Sequence, residues 1–78
     1  MLEWEEKEIN EFQFFPSPAQ DFITIQTAKQ GQLQIFDATG RIVLERTITA
    51  TQVIDLHHLP SGVYLLKLND STQRLLIE

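Results

Sequence analysis

The chain has 78 residues, no cysteine and a formal net charge of −5 at pH 7. A chain of this length forms one domain with a modest core, so it leaves little material for a deep pocket. Without cysteine, neither disulfides nor thiolate metal sites stabilise the fold. No apolar run approaches the roughly 18 residues of a membrane span, and the acidic N-terminus lacks the features of a secretory signal. Taken alone, the sequence predicts a small cytoplasmic domain stabilised by apolar packing.

The acidic charge is concentrated at the N-terminus. Five glutamates against one lysine give residues 1–11 a net charge of −4, which leaves −1 for residues 12–78. We therefore predict an acidic linker or flank over residues 1–11 and one nearly neutral domain over residues 12–78. Because the basic residues of that domain are scattered, the sequence provides no electrostatic surface for nucleic acid or an anionic membrane.

From Phe12 onward, apolar and polar residues alternate in short runs separated by turn residues. These runs are rich in Ile, Val, Leu, Phe and Thr, and no window has the apolar spacing of an amphipathic helix. The seven runs are FQFF, FITIQT, QLQIFD, RIVLER, TQVIDL, VYLLKLN and TQRLLIE. Their regular spacing predicts an all-β fold, a small antiparallel β-sandwich of about seven strands.

Alternation within the runs assigns side chains to the core or to the surface. The residues predicted to face the core are Ile23, Ile25, Leu33, Ile35, Tyr64, Leu66 and Leu68. Val63 and Leu65 point the other way on the same strand as Tyr64, which indicates either a strand covered on both faces or an exposed apolar patch. We favour the patch, because so short a chain has little material to cover a second face.

Two turns have specific chemistry. In DATGR, the Asp37 carboxylate can accept a hydrogen bond from a backbone N–H two residues on, and Gly40 can adopt positive φ, which predicts a type I turn with a bulge. In LPSGVY, Pro60 restrains φ at the second turn position and Gly62 supplies the residue with positive φ. Tyr64 then has the position of a tyrosine corner, whose hydroxyl donates to upstream backbone in an immunoglobulin-like sandwich. A binding role for the Tyr64 ring is the weaker alternative.

No combination of residues predicts catalysis or metal binding. His57 and His58 are adjacent, so on an extended chain they point to opposite faces and cannot chelate one ion together. Each aspartate of the domain lies beside a turn signal, where a carboxylate usually accepts bonds from backbone N–H groups. Neither histidine has an evident partner with which to activate a hydroxyl nucleophile. We predict a non-catalytic domain without metal, cofactor or small-molecule substrate.

The order of the turns resembles a known family, the type A C-terminal sorting domains of the type IX secretion system of Bacteroidetes, also called the Por secretion system. The resemblance covers residues 12–78 and comprises a Pro-x-Pro segment, an Asp-x-x-Gly-Arg hairpin, a Leu-x-x-Gly-x-Tyr corner and a short last strand. The residues that match are Pro16, Pro18, Asp21, Asp37, Gly40, Arg41, Leu59, Gly62 and Tyr64. Ser17 stands where the family usually has Asn, and Glu78 stands where many members are basic.

The resemblance implies a function that needs no active site. Members of the family are immunoglobulin-like domains at the C-terminus of a larger precursor. The outer-membrane translocation apparatus recognises them, and a sortase usually removes them and attaches the cargo to the cell surface. The cargo would then be secreted or surface-bound after passing the periplasm, and its signal peptide would lie upstream. The residues expected to contact the apparatus are Arg74, Leu75, Leu76, Ile77 and Glu78.

A fibronectin-like or immunoglobulin-like adhesion or carbohydrate-binding module of a surface protein is the alternative hypothesis. Sugar binding generally uses exposed aromatic platforms, whereas most aromatic residues here lie in apolar strand patterns that are typical of a core. The aromatic residues of the predicted domain are Phe12, Phe14, Phe15, Phe22, Phe36 and Tyr64. We therefore favour the sorting domain.

Overall fold

The computed structural model describes residues 12–78, and this part of the chain forms seven strands and no helix. The strands are β1 Phe12–Phe15, β2 Phe22–Thr27, β3 Gly31–Phe36, β4 Ile42–Ile48, β5 Gln52–Asp55, β6 Gly62–Leu68 and β7 Ser71–Ile77. Every predicted run forms a strand, and no boundary differs from its prediction by more than two residues. The acidic linker predicted over residues 1–11 lies outside the described residues.

The strands pair into two antiparallel sheets. A three-stranded sheet has the order β1-β2-β5, and a four-stranded sheet has the order β4-β3-β6-β7. The two sheets contribute to one hydrophobic core, as expected for the predicted small β-sandwich. The last strand, β7, pairs only with β6 within its sheet and therefore lies at a sheet edge.

Alternation along the strands builds the core, apart from a register shift beside Ile42 in β4. All seven residues predicted to face inward are buried, and no polar or charged residue is buried among residues 12–78. The core side chains are Phe12, Ala19, Ile23, Ile25, Leu33, Ile35, Leu44, Ile48, Ile54, Leu56, Tyr64, Leu66, Leu68, Leu75 and Ile77. Because aliphatic residues dominate this set, area removed from water is its main source of stability.

Antiparallel pairing gives the sandwich two distinct ends. A parallel bridge between Ala19 and Ile77 joins the loop after β1 to the end of β7, which places both at one end. This motif end comprises residues 16–21, 37–41, 56–61 and 78. The entry end, where residues 1–11 join Phe12, also comprises residues 28–30, 49–51 and 69–70. Since the longest strands have seven residues, roughly 20 Å separates the two ends.

Candidate recognition surface

Asp37 organises the hairpin between β3 and β4. Its Oδ1 atom accepts hydrogen bonds from the Thr39 N–H (2.9 Å), the Thr39 hydroxyl (2.6 Å) and the Arg41 N–H (3.0 Å). The Gly40 N–H donates to the Asp37 carbonyl at 3.0 Å, and Gly40 has φ of +89°. The strand register shifts next to this turn. The predicted turn, its positive φ and its bulge are therefore confirmed.

These hydrogen bonds make the Asp37 carboxyl a stronger acid. The pKa of Asp37 falls from its ordinary 3.8 to about 2, first because the Thr39 hydroxyl donates to it and next because the Arg41 backbone N–H does. Donors that bind the charged form of a carboxyl favour that form. Arg41 Nε also lies 3.3 Å from Oδ2, but the Arg41 side chain is largely exposed, so this ion pair adds little stability.

Tyr64 forms the predicted tyrosine corner. Its ring is buried, and its hydroxyl donates a 2.6 Å hydrogen bond to the Pro60 carbonyl. A hydrogen-bonded turn that was not predicted precedes the corner, because the Leu59 N–H donates to the Leu56 carbonyl at 2.8 Å. This turn is therefore centred on the two histidines and not on Pro60. The Pro60 carbonyl instead accepts the hydrogen bond from the Tyr64 hydroxyl.

Gly62 begins β6 with φ of +156°, so the predicted positive φ is confirmed. The nearest atom to a Cβ built on Gly62 would belong to the Tyr64 ring, at 3.9 Å, an ordinary contact distance. Space therefore does not select glycine at this position. The backbone conformation does, since residues with a Cβ rarely adopt it.

His57 has a partner that the sequence did not predict. Its Nδ1 lies 2.7 Å and 2.9 Å from the two carboxylate oxygens of Asp55, and its backbone N–H donates to Oδ1 at 3.0 Å. The side-chain hydrogen bond with Asp55 raises the pKa of His57, while the His57 backbone N–H is the first cause that lowers the pKa of Asp55. Both side chains are about two-thirds exposed. The pair therefore caps a surface turn outside any cleft.

The end of β7 is attached to the loop that holds Pro16 and Pro18. The Ala19 N–H donates to the Leu76 carbonyl and the Glu78 N–H donates to the Ala19 carbonyl, both at 2.8 Å. Among the described residues, Ala19 alone bridges to the backbone of β7 along the edge opposite β6. The terminal strand is thus positioned by a sequence motif that lies far upstream of it.

The five residues predicted to contact the apparatus divide between two environments. Leu75 and Ile77 are buried in the core, whereas Arg74, Leu76 and Glu78 are exposed. Successive residues of a strand point to opposite faces, which explains the division. The side chains available to a partner of the folded domain are therefore those of Arg74, Leu76 and Glu78.

The motif residues converge on the motif end. Those in its loops are Pro16, Pro18, Asp37, Gly40, Arg41, Leu59 and Pro60, and Gly62 follows directly. Tyr64 lies within β6 but reaches this end through its hydroxyl. Residues that are widely separated in the sequence therefore form one surface around the end of the terminal strand.

Two aromatic residues are exposed, contrary to the prediction that most lie in the core. Phe15 and Phe22 are 44% and 47% exposed on the three-stranded sheet. Phe22 also borders an open depression of about 300 Å³, together with Pro16, Pro18, Gln20 and Asp21. Asp21 is the one charged residue among those that line this depression. The depression therefore offers a ligand little beyond apolar contact.

Within residues 12–78, no three His, Asp or Glu side chains come close enough together to hold a metal ion. The same part of the chain contains no helix of the length and hydropathy that crossing a bilayer requires. The fold and the surface together define a small β-sandwich whose sequence motifs build and position one end, a geometry that fits a recognition module.

Comparison with known proteins identifies the kind of module. A profile of the secretion system C-terminal sorting domain family matches residues 13–78. The match includes every motif residue, so the chain belongs to the family of C-terminal sorting domains of the type IX secretion system. No curated protein and no solved structure matches the chain. Membership implies export of the attached protein, either to the cell surface or into the medium.

Proposed function

We propose that this domain is a non-catalytic signal that directs a larger cargo protein across the outer membrane. Translocation components of the type IX system recognise the folded domain after the cargo has reached the periplasm. A sortase then removes the domain and attaches the cargo to the cell surface. In this proposal residues 1–11 are the linker in which that cleavage falls.

The family match over residues 13–78 is the observation that carries this proposal. The geometry of the sandwich adds a physical reason. The motif residues lie at one end and residues 1–11 join at the other, roughly 20 Å away. A receptor can therefore hold the motif end while the linker stays accessible to a sortase, so recognition and cleavage do not compete for one surface.

We assign the contact on the terminal strand to Arg74, Leu76 and Glu78. These side chains are exposed, and the buried Leu75 and Ile77 between them anchor the strand in the core. An edge strand also presents backbone groups to a partner, although Ala19 occupies part of this edge. Arg74 is suited to orient a contact because its guanidinium binds carboxylates with fixed geometry.

Secretion of a fusion protein tests the proposal. A signal peptide and a fluorescent reporter are placed before residues 1–78 and expressed in a host with an intact type IX system. Two altered fusions accompany it, one that ends at Gln73 and one with Arg74→Ala and Glu78→Ala. The matched control is Lys29→Ala with Asp70→Ala, which removes one base and one acid at the entry end, where both are exposed.

We expect export of the full fusion and of the control, with periplasmic retention of the truncation and the Arg74 and Glu78 double variant. Truncation at Gln73 also removes two core side chains, so circular dichroism must first establish that each variant is folded. Failure of the full fusion to leave the periplasm contradicts the proposed function. Equal export of all folded fusions contradicts the assignment to the terminal strand.

A further inference from the structure

Five apolar side chains form a continuous patch on the outer face of the four-stranded sheet. This outer patch comprises Phe36, Ile42, Val63, Leu65 and Leu76. Phe36 lies directly opposite both Ile42 and Leu65, and Val63 lies opposite Leu76. Residues paired in this way on one face have Cβ atoms about 4.5–5.5 Å apart, so the five side chains are neighbours.

The outer patch is open to solvent. Ile42, Val63, Leu65 and Leu76 are 48%, 50%, 44% and 41% exposed, and Phe36 is half-buried. Their neighbours on the same strands already fill the core, so none of the five is needed inside. Contiguous exposed apolar surface is unfavourable in water and usually marks a place where another molecule binds.

Four charged residues share the outer face with the patch: Lys67 and Arg74 lie beside Leu65, and Glu45 and Glu78 lie nearer its margins. Arg74 lies opposite Leu65, and Lys67 lies two residues farther along β6 on the same face. Neither cation forms an ion pair within the part of the chain that the structure describes. Glu45, on this face in β4, is already bound at 2.9 Å by Gln34 Nε2. The part of the patch around Leu65 therefore complements an apolar region that carries a carboxylate within reach of Arg74.

The size of the outer patch argues against a stable pairing of two copies of this chain. A lasting protein interface uses about 20–30 residues from each side, whereas the outer patch and its two cations supply far fewer. A small apolar centre with a charged border suits a contact that forms and is released. Such a contact is what a domain in transit between components requires.

We propose that the outer patch with Arg74 docks a protein of the secretion apparatus whose contact region is apolar and carries a carboxylate opposite Arg74. This inference rests on the proposed function and extends it from the terminal strand to three further strands. Leu65 lies at the centre of the contact, and Arg74 pairs with a carboxylate of the partner. Leu76 belongs both to the outer patch and to the contact assigned to the terminal strand, so the docking face continues onto that strand.

The test uses the reporter fusion to residues 1–78 in the same host. Leu65→Glu and Arg74→Glu change the proposed contact, and Leu65→Thr is a milder variant that preserves strand propensity. Val53→Glu is the matched control, because Val53 is 63% exposed on the opposite sheet. Each purified domain is melted, and only variants within about 5 °C of the parent are compared. Sedimentation of the parent and of Leu65→Glu reports self-association.

We expect at least tenfold less surface reporter for Leu65→Glu and Arg74→Glu, a smaller loss for Leu65→Thr, and no change for Val53→Glu. Arg74→Lys should retain more export than Arg74→Glu, since it keeps the charge. Absence of export for the parent fusion would instead defeat the proposed function itself.

Three outcomes overturn the docking inference while leaving the proposed function intact. The first is export of folded Leu65→Glu or Leu65→Thr at the level of the parent. The second is an equal loss for Val53→Glu, which would indicate a general effect of surface charge. The third is a dimer of the parent that Leu65→Glu dissolves, which would assign the outer patch to a second copy of this chain.

Discussion

The two ends of the sandwich differ in how their turns are held. At the motif end, single side chains bind backbone groups two to four residues away, as the Asp37 carboxylate, the Asp55 carboxylate and the Tyr64 hydroxyl do. At the entry end, one local turn bond occurs beside two bonds between distant segments. The Thr27 hydroxyl bonds both backbone groups of Lys29, the Asn69 amide donates to the Gln30 carbonyl at 3.3 Å, and Gln73 Nε2 donates to the Phe12 carbonyl at 2.7 Å.

This difference has a physical consequence for the sequence. A turn held by one specific carboxylate or hydroxyl loses its conformation when that group changes, whereas a short local turn accepts several polar residues. The motif end therefore needs particular residue types in its turns, whereas the particular requirement at the entry end is Gly31, where a Cβ would collide with the Asn69 side chain.

Core truncation should have the largest effect and should not distinguish the two ends. Leu75→Ala near the motif end and Leu33→Ala near the entry end each remove a fully buried side chain. Each should lower the free energy of unfolding by about 2–5 kcal/mol, because transfer and cavity costs add. Urea denaturation measures both. A large loss of stability for Leu75→Ala but not for Leu33→Ala would mean that the two ends differ in core packing as well as in their turns.

Backbone conformation should separate the ends next. Gly62→Val places a β-branched residue at φ of +156° and should cost about 1–3 kcal/mol. The counterpart at the entry end is Asn69→Gly, where φ is +56° and glycine is well suited. The free energy of unfolding of Asn69→Gly should stay within about 0.5 kcal/mol of that of the parent. Equal stability of Gly62→Val and the parent by denaturation would contradict the role of Gly62.

The tyrosine corner should contribute less than the backbone at Gly62. Tyr64→Phe keeps the buried ring and removes only the hydrogen bond to the Pro60 carbonyl. The expected loss is about 1 kcal/mol, the usual net value of one intramolecular hydrogen bond. Thermal unfolding of the two proteins at one pH measures it. Unchanged stability would show that water replaces the hydroxyl at this carbonyl without loss.

The Asp37 hairpin should give a smaller, acid-dependent effect. The pKa of Asp37 is lowered from 3.8 to about 2 in the folded protein, chiefly by the Thr39 hydroxyl. Its contribution is therefore fully present above the unfolded value and is lost as pH falls through the folded one. Between about pH 5 and pH 2, Asp37→Asn should show a flatter decline in urea midpoint than the parent. Parallel declines would contradict this assignment.

The smallest effect should come from His57. Asp55 raises the pKa of His57 above its ordinary 6.5 through their side-chain hydrogen bond. The resulting stabilisation is present below the unfolded pKa and is lost as pH rises through the higher folded one. NMR titration of the imidazole should show the raised pKa, and Asp55→Asn should lower it. An unchanged titration in Asp55→Asn would mean that the pair does not persist in solution.

The sequence predicted most of the architecture because alternation is a local property. The inward positions of Ile23, Leu33 and Leu66 follow from period two alone, and so does the exposure of Val63 and Leu65. The same rule could have found Leu76 in the outer patch, but not Ile42, which a register shift in β4 turns away from the face of Leu44. It could not show that they adjoin, because adjacency depends on which strands pair.

The candidate site was less predictable than the fold. Asp37 with Gly40, and Tyr64 with upstream backbone, could be predicted since each interaction spans at most four residues. The hydrogen-bonded turn centred on the two histidines was not predicted from the sequence. The bond from the His57 backbone N–H to Asp55 fits the prediction that each aspartate caps a turn, whereas the contact between Asp55 and the His57 ring was not predicted.

By itself the sequence determined the strands, the turn chemistry, the apolar core and, through its motifs, the family. Hydrophobic periodicity and short-range hydrogen bonding suffice for these, since both act between residues close in the chain. Tertiary structure alone decided the strand order, the bridge from Ala19 to Ile77, the gathering of motifs at one end and the joining of five apolar side chains into the outer patch. These depend on long-range pairing, which is selected by packing of the whole core and not by any local stretch.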